Sequence, residues 1–147
     1  EGKKMARNSR AKEIGKGHSG DAKKGRQGEE LAKRFFLDRG YISAWNPQKT
    51  SFSRRRGKGG NDVHGVFDIV ALSTGGETHY AQEKNQPSMK HPTTALRDTL
   101  AKCRDLLKDC ERIPVVYFFW VRGDGADIYL LEDDFHFEFL ETWVEKL

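Results

Sequence analysis

The sequence predicts an α/β fold with a mixed central β-sheet flanked by helices, and three patterns indicate it. An amphipathic helix comes first, several β-branched or aromatic runs follow, and a second amphipathic helix separates them. A length of 147 residues suits one domain with a substantial core. We expect one helix, a sheet of four to five strands, a crossover helix and a C-terminal helix.

The first predicted helix covers residues 25–40. At about 100° per residue, Glu29 falls at the border of its apolar stripe and Glu30 falls on the opposite side. We therefore expect Glu29 to face the interior and Glu30 to be a surface charge. Gly40 is a typical stop signal. The stripe consists of Leu31, Ala32, Phe35 and Phe36.

Two strand segments carry polar side chains that suggest chemistry. Asp68 interrupts an apolar run, where a buried carboxylate is costly unless something compensates it. Gln82 and Lys84 lie two residues apart in the next segment, so they share a face and Glu83 points the other way. A glycine-containing turn between the segments predicts a hairpin, which would bring Asp68 to the face of Gln82 and Lys84.

The residue types in this hairpin fit metal-assisted phosphate chemistry. Carboxylate and amide oxygens are hard ligands that suit Mg²⁺ or Mn²⁺. A lysine beside them can orient a water molecule or neutralise charge on a phosphate oxygen. Asp68, Gln82 and Lys84 therefore predict a nuclease site, or, in the plainer interpretation, a strand end followed by solvated polar residues.

The second half of the chain predicts a scaffold. A helix follows Pro92 and extends to about Glu111. Residues 113–121 predict a strand that is buried on both faces, and residues 126–131 predict the next strand after a glycine turn. The apolar seam of the helix consists of Leu96, Leu100, Cys103, Leu107 and Cys110.

The acidic end of the chain, residues 132–147, allows two interpretations. Apolar side chains four residues apart favour a short final helix that begins at Asp133 and Asp134. The alternation of aromatic and polar residues over 135–139 fits a strand instead.

Charge is distributed unevenly along the chain. Residues 1–60 hold 17 Lys and Arg against 6 Asp and Glu, whereas residues 61–147 hold 9 against 16. A basic half of this kind is typical of a polyanion partner. We expect a flexible basic tail over residues 1–24 and a basic loop over 48–64 that contacts DNA phosphates beside the site. The candidate nucleic-acid-binding residues are Lys23, Lys24, Arg26, Lys49, Arg54, Arg55, Arg56 and Lys58.

Other features narrow the class of protein. No apolar run approaches the ~20 residues of a membrane span, and no secretory segment is recognisable near the start. Two cysteines do not indicate an oxidising compartment. We therefore expect a cytoplasmic protein, or one located wherever the DNA of the cell or virus lies, without a membrane partner. The histidines form no constellation. His64 or His79 could contact phosphate, but we expect both to have surface roles.

Three motifs occur in order, at residues 25–29 (Gly-Arg-Gln-Gly-Glu), 67–71 (Phe-Asp-Ile-Val-Ala) and 82–84 (Gln-Glu-Lys). Over about residues 24–86 they resemble the archaeal-type Holliday junction resolvases of the PD-(D/E)xK nuclease superfamily. The resemblance implies a restriction-endonuclease-like core and a single nuclease domain over residues 25–147.

The resemblance also implies a site and an activity. Glu29, Asp68 and Gln82 would bind Mg²⁺, or Mn²⁺, together with the carbonyl of Glu83, and Lys84 would be the catalytic lysine. The expected activity is the resolution of four-way DNA junctions by paired symmetric phosphodiester cuts. Because such a junction has approximate two-fold symmetry, a homodimer is the natural match.

Departures from the family pattern leave alternatives open. Gln82 stands where a glutamate is commoner, and no proline precedes Asp68. A shifted register would make Glu83 the acid and put Asn85 in the place of the lysine. The alternative functions are a sequence- or single-strand-specific endonuclease of the restriction type and a catalytically inactive DNA-binding module.

Overall fold

The computed structural model describes residues 27–47, 62–86 and 88–145 of the chain. Within these residues, a six-stranded sheet lies between two helices. Neither helix of the described residues is long and apolar enough to cross a lipid bilayer.

The first helix, α1, is helical at every described residue from 27 to 38. Its predicted apolar stripe is buried, which confirms this element. The chain leaves α1 through Gly40, whose φ of 88° is the left-handed conformation that favours glycine. The N–H of Tyr41 then donates to the carbonyl of Phe36 and closes the end of the helix.

The six strands follow one another across the sheet in sequence order. Neighbouring strands are antiparallel except β3 and β4, which are parallel because the helix α2 crosses between them. The predicted mixed sheet flanked by helices is therefore confirmed, with one strand more than the upper expectation. The bounds are β1 (Ser43–Trp45), β2 (Ile69–Leu72), β3 (Thr78–Lys84), α2 (Thr93–Leu107), β4 (Val116–Arg122), β5 (Gly125–Leu131) and β6 (Phe137–Val144).

The helices cover opposite faces of the sheet. The stripe of α1 packs in one core cluster with Ile69, Ala81 and Phe119, among others. On the other face, Ala95 and Cys103 of α2 pack with core residues that include Val116, Phe118 and Trp120. Alternate residues of β4 therefore enter different layers, so the strand is apolar or aromatic on both faces up to Val121, and only Arg122 at its end is exposed.

The β2–β3 hairpin has the predicted turn. The N–H of Ser73 donates to the carbonyl of Glu77, and Gly76 has a φ of 84°. The β2–β3 ladder ends at the pair Ile69 and Ala81, whereas β3 runs on beside β4 as far as Lys84. The two hairpin strands therefore diverge at this end of the sheet.

The C-terminal segment is the strand β6, so the predicted final helix is wrong and the alternative strand is confirmed. Strand β5 supplies β6 with hydrogen-bond partners, which an isolated amphipathic pattern cannot reveal. A register shift at Ile128/Tyr129 lets Trp143 face α1, where its ring lies 5.8 Å from that of Phe35. An ion pair from Arg34 of α1 to Glu145, just after β6, and one from Arg39, just after α1, to Glu141 of β6 link these parts of the chain.

Two smaller predictions also need correction. Asp133 and Asp134 lie in the turn between β5 and β6 and do not begin a helix; Oδ1 of Asp134 is 2.5 Å from Nδ1 of His136. The helix α2 ends at Leu107, before the expected Glu111, so Cys110 is exposed outside the apolar seam. Both cysteines are free.

Candidate metal centre

Asp68 lies where β2 and β3 diverge. Its N–H donates to the carbonyl of Ala81 at 3.0 Å, and its Oδ1 accepts a hydrogen bond from the N–H of Glu83 at 3.2 Å. The side chain of Asp68 thus satisfies a backbone donor of β3 beyond the end of the ladder. Only 7% of Asp68 is exposed, so its carboxylate is buried at the point where the two strands diverge.

Glu83 brings a second carboxylate to the same place. Glu83 lies two residues after Ala81 in β3, so its side chain points to the same face of the sheet, where Ala81 packs under α1. Only 7% of Glu83 is exposed. Its side chain lies against Gly28, where an added Cβ would stand 2.9 Å from Cδ of Glu83. Within the described residues, Oε1 of Glu83 is buried and has no hydrogen-bond partner.

Burial and like charge act together on these two carboxyl groups. Burial raises the pKa of Asp68 well above its usual range, and the charges of Glu83, Asp62 and Glu29 raise it further, against the hydrogen bond from Glu83. Burial, then the charge of Glu29, raises the pKa of Glu83 to about 8, although the positive charge of Lys84 opposes this rise. Glu29 and Asp62 therefore lie within electrostatic range of both Asp68 and Glu83.

Such a cluster fits a hard divalent cation. A cation would offset the repulsion between Asp68 and Glu83 and provide the partner that Oε1 of Glu83 lacks among the described residues. In the described part of the chain, no three His, Cys, Asp or Glu side chains form a complete metal-holding group. A cation here would therefore take its remaining ligands from carbonyl, amide or water oxygens, as Mg²⁺ commonly does.

The predicted partners Gln82 and Lys84 lie on the other face of β3. Residues 80, 82 and 84 share one face of β3. Tyr80 packs on the α2 side, and Gln82 and Lys84 line a cleft beside α2. The charge of Glu83 acts on Asp68, whereas Gln82 and Lys84 line the cleft on the α2 face. This geometry favours the shifted register, in which Glu83 is the acid of the motif and Asn85 stands in the place of the lysine.

The remaining predicted residues divide into two groups. Glu29 is half-buried and within electrostatic range of both central carboxylates, whereas Glu30 pairs with Lys33 at 2.5 Å on the surface side of α1. The basic tail and nearly all of the basic loop lie outside the described residues. So do all eight candidate nucleic-acid-binding residues: Lys23, Lys24, Arg26, Lys49, Arg54, Arg55, Arg56 and Lys58.

Two contributors to the cluster, Gly28 and Asp62, were not predicted from the sequence, and the carboxylate of Glu83 was predicted only as the alternative register. The sequence did contain one signal for Glu83. Ala81 is the small apolar residue of β3, and Glu83, two residues later, points to the same face of the sheet. Gly28 had no comparable signal, since a glycine in a helix does not reveal what approaches it.

Comparison with known proteins gives no matching family model, no matching curated protein and no matching solved structure.

Proposed function

We propose that this protein is a divalent-metal-dependent nuclease that hydrolyses phosphodiester bonds in DNA. One observation carries the proposal: Glu83 and Asp68 are two buried carboxylates in mutual repulsion, and one oxygen of Glu83 has no hydrogen-bond partner among the described residues. Buried charges of one sign are retained where they bind a cation or perform acid–base chemistry.

Each residue of the cluster has a defined part in this proposal. Asp68 and Glu83 would hold the cation, and Glu29 of α1 would add negative charge beside it. A bound Mg²⁺ would supply Lewis-acid activation and charge neutralisation at the phosphate. The backbone N–H of Glu83 fixes the orientation of the Asp68 carboxylate, so the site is organised before substrate binds.

Composition supports DNA as the substrate. The excess of basic residues over positions 1–60 favours a polyanion, and the acidic cluster requires a cation to accept a phosphate group. The mixed sheet flanked by two helices is compatible with the restriction-endonuclease-like core that the motif resemblance implies. From that resemblance, we propose a four-way junction as the substrate and a homodimer as the active form.

One observation favours a second candidate function. Lys84 lines the cleft on the α2 face, and the position two residues after Glu83 is Asn85. If DNA cleavage at a metal site of this kind requires a lysine within the carboxylate cluster, the chain would be a DNA-binding module that holds a metal without cutting.

The test is cleavage of a labelled four-way junction beside a linear duplex of the same sequence, in Mg²⁺ and in EDTA. We expect paired cuts in the junction, lowered by more than about 100-fold in Asp68→Asn and Glu83→Gln. Asp105→Asn removes an equal charge from exposed α2 and should cut normally. Equal cutting of the duplex would indicate a restriction-type endonuclease, and binding without cutting would indicate the inactive module.

A further inference from the structure

The cleft on the α2 face of β3 is separate from the carboxylate cluster. It has a volume of about 290 Å³ and lies between the end of β3 and the first half of α2. That volume is near the lower end of the range for small-ligand sites, about 300 Å³. Its polar lining includes Gln82, Lys84, Thr94, Asp98, Thr99 and Lys102.

Two lysines in this cleft lack a close ion-pair partner among the described residues, although the charge of Lys84 also acts on Glu83. Lys84 is half-buried and Lys102 is exposed at the rim, and neither forms an ion pair with a side chain of the described residues. A partly buried ammonium group without a partner costs free energy that an anionic ligand would offset. Asp98 is the single acidic side chain of the described lining, so the lysines leave the cleft positive.

Two buried polar side chains open onto the same space. Gln82 is 8% exposed and Thr99 is 4% exposed, yet both line the cleft. Nε2 of Gln82 donates only a long 3.4 Å bond to the carbonyl of Glu83. The hydroxyl of Thr99 makes no hydrogen bond that the structure records within the described residues. Both groups are therefore available as donors to a ligand.

We propose that this cleft is a phosphate-binding subsite. Lys84 and Lys102 supply charge, and Gln82 and Thr99 supply donors from the floor. The N-terminus of α2 adds to this, because it has no acidic residue in its first turn and no side-chain cap. A phosphate group, with several acceptor oxygens and one or two negative charges, matches this set of donors.

The ligand is a phosphate of a nucleic-acid strand, and this part of the inference rests on the proposed nuclease function. Gln82 and Lys84 flank Glu83 in β3, so the two sites lie on opposite sides of the same short stretch of strand. A DNA strand whose scissile phosphate sits at the carboxylates and that crosses the end of β3 would place a second phosphate in the cleft. The anion site itself depends only on the residues of the cleft.

The test is calorimetric titration in EDTA with inorganic phosphate, thymidine monophosphate and single-stranded oligothymidylate. We expect Lys102→Gln to weaken binding of all three probes by about tenfold, because it removes a charge-assisted hydrogen bond. Asp98→Asn should strengthen binding, since it removes the opposing charge. Lys108→Gln is the matched control, because it removes a lysine charge at the end of the same helix, outside the cleft.

Two results would overturn the assignment. Equal losses in Lys102→Gln and Lys108→Gln would show that phosphate meets only the general surface charge. A loss for phosphate and the mononucleotide without one for oligothymidylate would show a free-nucleotide site and refute strand positioning. The cleavage assay of Asp68→Asn separates the two proposals: if Asp68→Asn cuts DNA normally while Lys102→Gln loses phosphate binding, the nuclease assignment fails and the anion site stands.

Discussion

Gly28 of α1 lies directly against the carboxylate of Glu83 on β3. A Cβ at position 28 would overlap Oε1 of Glu83, with Cδ at 2.9 Å and Cγ2 of Val121 at 3.4 Å. Glycine inside a helix is unfavourable relative to alanine by about 0.5–1 kcal/mol. The glycine therefore gives up helix stability and leaves room for a buried carboxylate, which links the first motif of the sequence to the proposed metal centre.

Gly28→Ala should have opposite effects in two backgrounds. In the wild type, overpacking against Glu83 should lower the free energy of unfolding by about 1–3 kcal/mol. In a Glu83→Ala background the overlap disappears, and helix propensity should raise the free energy of unfolding by about 0.5–1 kcal/mol. Urea denaturation measures both, and the same sign in the two backgrounds would show that Gly28 does not serve Glu83.

Stability should fall with rising pH when metal is removed. Burial raises the pKa of Glu83 from 4.5 to about 8, so across this interval the folded chain holds more protons than the unfolded chain. In EDTA, the free energy of unfolding should therefore decrease by on the order of 1 kcal/mol per pH unit. Urea denaturation across this range should give a shallower dependence for Glu83→Gln, and an identical slope would contradict the assignment.

Phe36 should be a major contributor to the core on the α1 face. It is fully buried, and its ring lies 4.8 Å from Tyr41, 5.4 Å from Tyr117 and 5.6 Å from Phe119. Phe36→Ala should lower the free energy of unfolding by about 3–5 kcal/mol.

Arg39→Ala is the surface comparison on the same helix end. It removes an exposed ion pair with Glu141 and should cost at most about 1 kcal/mol. If the two substitutions had similar costs, measured by thermal and urea denaturation, the packing described for α1 would be incorrect.

His79 participates in a hydrogen-bonded chain, which corrects the expectation of a surface role. Its Nδ1 lies 2.7 Å from the hydroxyl of Tyr41, whose oxygen is also 3.3 Å from that of Tyr117. Burial raises the pKa of Tyr41, so this hydroxyl stays protonated and can donate to His79. Tyr41→Phe should therefore lower the free energy of unfolding by about 1–2 kcal/mol, and the same substitution should have little effect once His79 is replaced by Ala.

The spacing of apolar residues was sufficient to predict the elements that depend on local contacts. The stripe of α1 and the turn after β2 follow from residue spacing and turn chemistry alone, and both are present. The final segment was mispredicted because β6 is stabilised by pairing with β5 and by packing of Trp143 against Phe35. Those contacts are distant in sequence, and a helical spacing of apolar residues can coexist with them.

The candidate site could be predicted only in part from the sequence, for a related reason. Asp68 was found because a carboxylate in an apolar run is conspicuous. The choice between Gln82 and Glu83 required the position of α1, since the two residues face different helices. Retaining the lysine favoured Gln82 with Lys84, whereas the packing of Ala81 under α1 puts Glu83 with the other acids.

The proposed function depends most on Glu83 and Asp68 forming one metal centre, and a calorimetric titration with Mn²⁺ tests this directly. We expect the wild type to bind Mn²⁺, Glu83→Gln and Asp68→Asn to lose at least about tenfold in affinity, and Gln82→Ala to bind like the wild type. No Mn²⁺ binding by the wild type, or a loss in Gln82→Ala with normal binding by Glu83→Gln, would contradict it.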